Sequence, residues 1–206
     1  VLISSAIGPL LDTYPNSVAW IYWTGAILGC LGLVLFAQVR VIGEARQRVR
    51  ERRERRNPES AIGFMEILKT DRLFRWYQMN MFAAGFGAML IEAPLIFIIT
   101  RQMQASYTQS IMLTMVIPFA VSLLSMPMWA NYLDRVHVAQ FRSRQSLLWI
   151  LAQLLTMAGA LLGSFAWLIV ARTIMGVARG GGSLAWQLGH NDFARPDQLG
   201  AYMGLH

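Results

Sequence analysis

The chain alternates long apolar runs with short polar breaks, and the runs have the length of membrane-crossing helices. Residues 17–39 form the clearest one. About 23 residues at 1.5 Å each reach roughly 34 Å, enough for a hydrocarbon core about 30 Å thick. Trp20, Tyr22 and Trp23 cluster at its start, as residues of an interfacial aromatic belt do. The same pattern predicts further spans over 76–100, 109–131, 145–162 and 165–186. The last two belong to one run too long for a single helix, which Gly163-Ser164 divides into a tight hairpin. Residues 1–11 read as the end of an earlier span, closed by the polar turn Asp12 to Asn16 with its Pro15. Leu199 to His206 reads as the start of a later one. The chain opens in mid-run without Met and shows no signal peptide, so it is expected to be an internal piece of a larger membrane protein.

Composition agrees with the pattern. Hydrophobic residues make up 55% of the 206 positions, charged residues only 14%, and mean hydropathy is +0.43. The net charge of +7 is unevenly spread: 11 of the 18 Lys and Arg residues lie between Arg40 and Arg75. A basic excess confined to one loop between apolar spans follows from the positive-inside rule, and no nucleic-acid partner is needed to explain it. That rule places the 40–75 loop in the cytoplasm. Because spans alternate, the 132–144 and 187–198 loops are then cytoplasmic too, and Arg101 stands almost alone on the other side. Within the long loop, Asn57-Pro58-Glu59 has the order of a helix start, with Ala61, Met65 and Leu68 at helical spacing. Residues 59–70 are therefore expected as an amphipathic helix lying on the membrane surface, near anionic lipid head groups.

The spans carry polar stripes. Gln78, Gly85 and Glu92 stack on one face of the second complete span by sevenfold spacing. Thr114, Pro118, Ser122, Ser125 and Trp129 do so on the third, Gln145, Trp149, Gln153 and Thr156 on the fourth, and Arg172, Gly176, Arg179 and Ser183 on the fifth. Span 17–39 is almost bare after Thr24 and should face lipid. Ser, Thr and Gln in such stripes commonly serve only as interhelical hydrogen-bond partners. A charge at membrane depth costs several kcal/mol, roughly, and so marks a pathway or a paired network. Glu92 is a proton-coupling or cavity candidate on that ground, with Gln78 on its face. Arg172 is either a structural or gating element or a substrate ligand. Arg101 lies nine residues from Glu92, about 13–14 Å along one helix and too far to pair, while Arg172 on another helix could.

No catalytic constellation is present in the sequence. His137, His190 and His206 have no partner at metal-ligand spacing, and there is no nucleophile elbow or phosphate-binding loop. Gly180-Gly181-Gly182 fits close helix packing better than phosphate cradling. The lone Cys30 excludes an internal disulfide and reads as a small apolar helix residue. No enzyme activity, metal or cofactor is expected.

Two segments carry a family resemblance. Ala130-Asn131-Tyr132-Leu133-Asp134-Arg135 is similar to the G-x-x-x-D-[RK] signature between the second and third helices of a half of the major facilitator superfamily. Ala130 stands for the glycine, His137 for the later glycine, and the basic residues arrive late, at Arg142 and Arg144. Arg172 with Gly176 and Gly180 is similar to the R-x3-G-x3-G pattern of a half's fourth helix. The resemblance covers the whole chain. It implies an all-α, polytopic, partial fold of that superfamily: 1–39 the end of helix 5 and helix 6, 40–75 the central cytoplasmic loop, 76–206 helices 7–10 and the start of 11. It further implies a secondary active transporter in the plasma membrane that moves a small-molecule substrate by alternating access, with proton coupling as a possibility raised by Glu92. Asp134 and Arg135 would form a cytoplasmic gate, and Gly176 and Gly180 a packing motif. The competing reading is a non-transporting sensor or scaffold on the same fold.

Overall fold

A computed structural model describes residues 2–38, 64–194 and 202–204, and among them every regular element is helical. Helix α1 spans Leu2–Thr13, and a short 3-10 turn, Pro15–Ser17, leads into α2, Val18–Ala37. Helix α3 is the short Phe64–Thr70. Residues 59–63 of the expected surface helix, most of the basic loop and residues 195–198 of the last polar loop lie outside the described residues. Helix α4 runs Arg72–Phe97 and continues as a wider π-helical turn over Ile98–Gln102. Helix α5 spans Tyr107–Leu133, α6 Val138–Leu161 and α7 Phe165–Leu188. Three of these segments, Pro15–Ala37, Arg72–Gln102 and Tyr107–Leu133, are long and apolar enough to cross a membrane.

Local chemistry sets the boundaries. Asp71 caps α4 by accepting the Phe74 N–H at 2.9 Å, which starts that helix four residues ahead of the expected Trp76. Ser106 and Gln109 form a reciprocal capping box at the start of α5. Inside α5, Met112–Val116 is π-helical, ending two residues before Pro118. Proline removes one backbone donor and crowds the preceding turn, and the widened turn absorbs the mismatch. The α6–α7 corner closes as a Schellman motif. Gly163 sits at φ +60°, its N–H bonds Ala160 O, and the Ser164 N–H bonds Gly159 O.

One expected loop is shorter than the charges suggested. Residues 138–144 belong to α6, leaving only 134–137 as connection. Arg142 and Arg144 looked like loop residues, but Arg142 turns inward and is only 7% exposed. The helix starts at Val138, whose N–H is taken by Asp192 at 2.7 Å, with His137 Nδ1 accepting from Ala139.

Helix α7 is the hub. Side chains from three neighbours donate to its backbone carbonyls: Tyr77 Oη to Ala185 at 2.8 Å, Trp129 Nε1 to Val177 at 2.7 Å and Gln145 Nε2 to Ala178 at 2.7 Å. Its glycines let α5 come close. A Cβ at Gly176 would lie 2.8 Å from Pro118 O, and one at Gly180 would run into Ser125 Oγ. The Phe74, Tyr77, Trp129, Val138 and Phe141 cluster packs one end of the bundle, and Leu95, Ile99, Leu113 and Leu168 the other. Helix α2 buries none of its residues, and its surface is Trp, Leu, Val and Phe. In water that surface would be unfavourable; against lipid it is matched.

Candidate functional site

Between α4, α5, α6 and α7 lies a cavity of about 730 Å³. Its floor is an ion pair. Arg172 on α7 donates to both oxygens of Glu92 on α4, Nη1 to Oε1 at 2.8 Å and Nη2 to Oε2 at 3.2 Å. The guanidinium side chain is 2% exposed and the carboxylate 45%, so Arg172 is locked in protein while Glu92 faces the cavity. The forked geometry suits the planar guanidinium and fixes the facing angle of the two helices. Arg101 was too far along the same helix to pair with Glu92, and the structure joins Glu92 to Arg172, the partner left open by the sequence.

The other candidates fall in different places. Gly85 and Thr114 line the same cavity, whereas Gln78 is half-buried on α4 and belongs to the wall of neither large cavity. Ser122 and Trp129 are buried against α7 rather than facing the space. Gly176 and Gly180 are buried at the α5–α7 contact. Asp134 and Arg135 form the exposed turn after α5. Among the described residues the Asp134 side chain makes no hydrogen bond or ion pair; its backbone N–H closes the helix on Ala130 O. A second cavity of about 980 Å³ is a mostly apolar cleft between α4 and α6, touched by Gln153 and Thr156.

Two contacts, one in the site and one outside it, were not singled out in the sequence. Arg142, read as a loop cation, lines both cavities and is held by Gln145 Oε1 at 2.8 Å. Asp12, read as part of a turn, clasps the start of α5. Its Oδ1 accepts the Tyr107 N–H at 2.7 Å, its Oδ2 the Thr108 N–H at 3.1 Å, and the Thr108 hydroxyl donates as well. The Thr108 hydroxyl, then the backbone donors, hold the Asp12 carboxyl below its ordinary value of 3.8 despite some desolvation. No local sequence signal reports either contact, because both depend on which helices meet.

A helical bundle with membrane-length spans, a cavity open between its helices and a buried arginine holding a half-exposed carboxylate on the wall fit a solute-transporting fold. The family model for the major facilitator superfamily matches residues 1–206. The chain belongs to the major facilitator superfamily. It is thus an all-α integral membrane protein of a transporter family. No curated protein and no solved structure matches it. Among the described residues no group of three His, Cys, Asp or Glu side chains is placed to hold a metal ion.

Proposed function

We propose that the protein is a secondary active transporter of the plasma membrane, moving a small solute by alternating access, and that the 730 Å³ cavity is its share of the solute pathway. The observation that carries this reading is the Glu92–Arg172 pair: a bidentate ion pair between two helices, α4 and α7, one partner locked in protein and the other turned to the cavity. Retaining such charges at membrane depth is costly unless they serve a pathway or network. In this reading the 40–75 loop is cytoplasmic and joins the two halves.

The pair also gives Glu92 two mutually exclusive partners, Arg172 or a proton. Protonating Glu92 removes the charge that holds Arg172, so proton loading and the α4–α7 link are coupled. The test uses full-length protein in proteoliposomes. Glu92→Gln should lose uptake driven by a pH gradient and keep solute exchange at equal pH, exchange being the proof that the variant is folded. Full gradient-driven accumulation in Glu92→Gln would make Glu92 structural and remove proton coupling from this site. Absence of both uptake and exchange in the wild-type protein would favour a sensor or scaffold on the same fold.

A further inference from the structure

The charge on the cavity wall is unbalanced. Three arginines, Arg142, Arg172 and Arg179, line it against one acid, Glu92, and Glu92 is already used by Arg172. Arg142 is 7% exposed, and among the described residues no carboxylate pairs with it; its side-chain hydrogen bond goes to the neutral Gln145, the Tyr77 phenol lies within electrostatic reach, and its Nε is buried without a hydrogen-bond partner. Arg179 has no carboxylate either among the described residues and rests on the Phe119 ring, 4.1 Å from the centroid. A buried cation without a counter-charge is costly, and an anion entering beside it removes that cost.

The place for that anion is defined. Gly182 has no side chain, and an atom at its Cβ position would lie 3.7 Å from Arg142 Nη1 and 3.8 Å from Trp149 Nε1. Gln145 Nε2 is nearer still, at 3.3 Å, but donates to Ala178 O, and Arg142 Nη1 also donates to Gln145 Oε1. Three side-chain nitrogens thus gather over a glycine, and the Trp149 indole is the one with no acceptor among the described residues. Arg179 lies three residues before Gly182 and Trp186 four residues after it, neighbours on the same face of α7. The remaining wall is chiefly Met, Ala and Trp. We propose that this cavity binds an organic anion with an apolar or aromatic body, its charged head over Gly182 between Arg142 and Trp149 and its body along the tryptophans. The proposal rests on the reading of the cavity as a solute pathway and adds the chemical class of the solute.

The experiment measures binding to the purified full-length protein by isothermal titration, with three probes of one shape: benzoate, benzamide and benzylammonium. Benzoate should bind about tenfold or more tightly than benzamide, and benzylammonium not at all. Trp149→Phe keeps the ring and removes the N–H, and Gly182→Ala fills the cradle. Each should weaken benzoate severalfold and leave benzamide unchanged, as should Arg179→Gln, with Arg179→Lys retaining much of the preference. Arg142 is deep enough that its replacement could unfold the bundle, so these other variants carry the test. Equal response to benzoate and benzamide, a lack of response to all three, or a benzoate preference untouched by both Trp149→Phe and Gly182→Ala overturns the proposal. Anion binding with no solute movement in proteoliposomes would sink the transport reading alone. Transport of a neutral or cationic solute without anion binding would sink this one alone.

Discussion

At the scale of single residues, the Glu92–Arg172 pair is asymmetric, and this orders the effects of its mutations. Breaking a buried pair by removing one partner costs about 3–5 kcal/mol, because the other charge is stranded. Glu92 is nearly half exposed, so water screens it, and the loss here should fall at or below the low end of that range. Glu92→Gln strands the fully buried Arg172 and should destabilise more than Arg172→Gln, which leaves a carboxylate that can still be hydrated. The double variant should recover part of the loss. A thermal-unfolding double-mutant cycle in detergent checks the order, and equal losses in both single variants would contradict it. Asp134 sits at the opposite extreme. It is exposed at the C-terminus of α5, where a negative charge meets the negative end of the helix dipole. On stability alone, Asp134→Asn should be neutral or slightly favourable. As a gate residue it should slow turnover while substrate affinity changes little. A variant at least as stable as wild type yet slower separates the gate from a topological anchor; unchanged turnover favours the anchor.

At the scale of elements, helix contacts divide the glycines into two kinds. A Cβ at Gly176 would come within 2.7 Å of Val121 Cβ and 2.8 Å of Pro118 O, and a backbone oxygen cannot swing aside. Gly176→Ala should therefore force α5 and α7 apart and destabilise by about 1–3 kcal/mol, the usual range for overpacking. Gly29 on α2 has nothing within 4 Å. There Gly29→Ala should be neutral or stabilising by up to about 0.5–1 kcal/mol, since alanine is the better helix former. Unfolding midpoints of the two variants should move in opposite directions. The α1–α5 clasp belongs to this scale as well. Asp12 is held ionised, so its contribution is complete above the unfolded carboxylate value and is lost only as pH falls through a folded value lower than 3.8. The distance between spin labels on α1 and α5 should hardly change from neutral pH down to that value, and widen below it. Asp12→Asn should lengthen it at neutral pH. A wild-type distance that changes between about pH 7 and pH 5 would mean that another group controls the contact.

At the scale of the whole molecule, the helix order makes a topological prediction. In a Cys30→Ser background, cysteines at Arg53 and Gln140 should be labelled only from the cytoplasm and one at Gln104 only from outside. Gln104 lies in the turn before α5 and Gln140 in the first turn of α6, and both are exposed, so reagent can reach them. Labelling of Arg53 and Gln104 from the same side would break the span count between them.

The sequence by itself determined the elements, because membrane helices satisfy their backbone locally and announce themselves by apolar length. The span at 17–39, the helix at 165–186, the hairpin at Gly163-Ser164 and the polar bareness of α2 are all legible from composition and spacing. So was the helical membrane class, and the family came from two short motifs. What the sequence could not decide was partnership. Periodicity puts Glu92 on a face, but only the crossing of α4 and α7 brings Arg172 to it. Charge alone made Arg142 look like a loop residue, whereas packing buries it against Gln145 and turns it to the cavity. Asp12 and Asp192 look like ordinary turn acids, yet each caps a helix far along the chain. Local patterns encode the period and length of an element; pairing of charges and caps between elements depends on helix crossings and distances, which only the tertiary structure supplies.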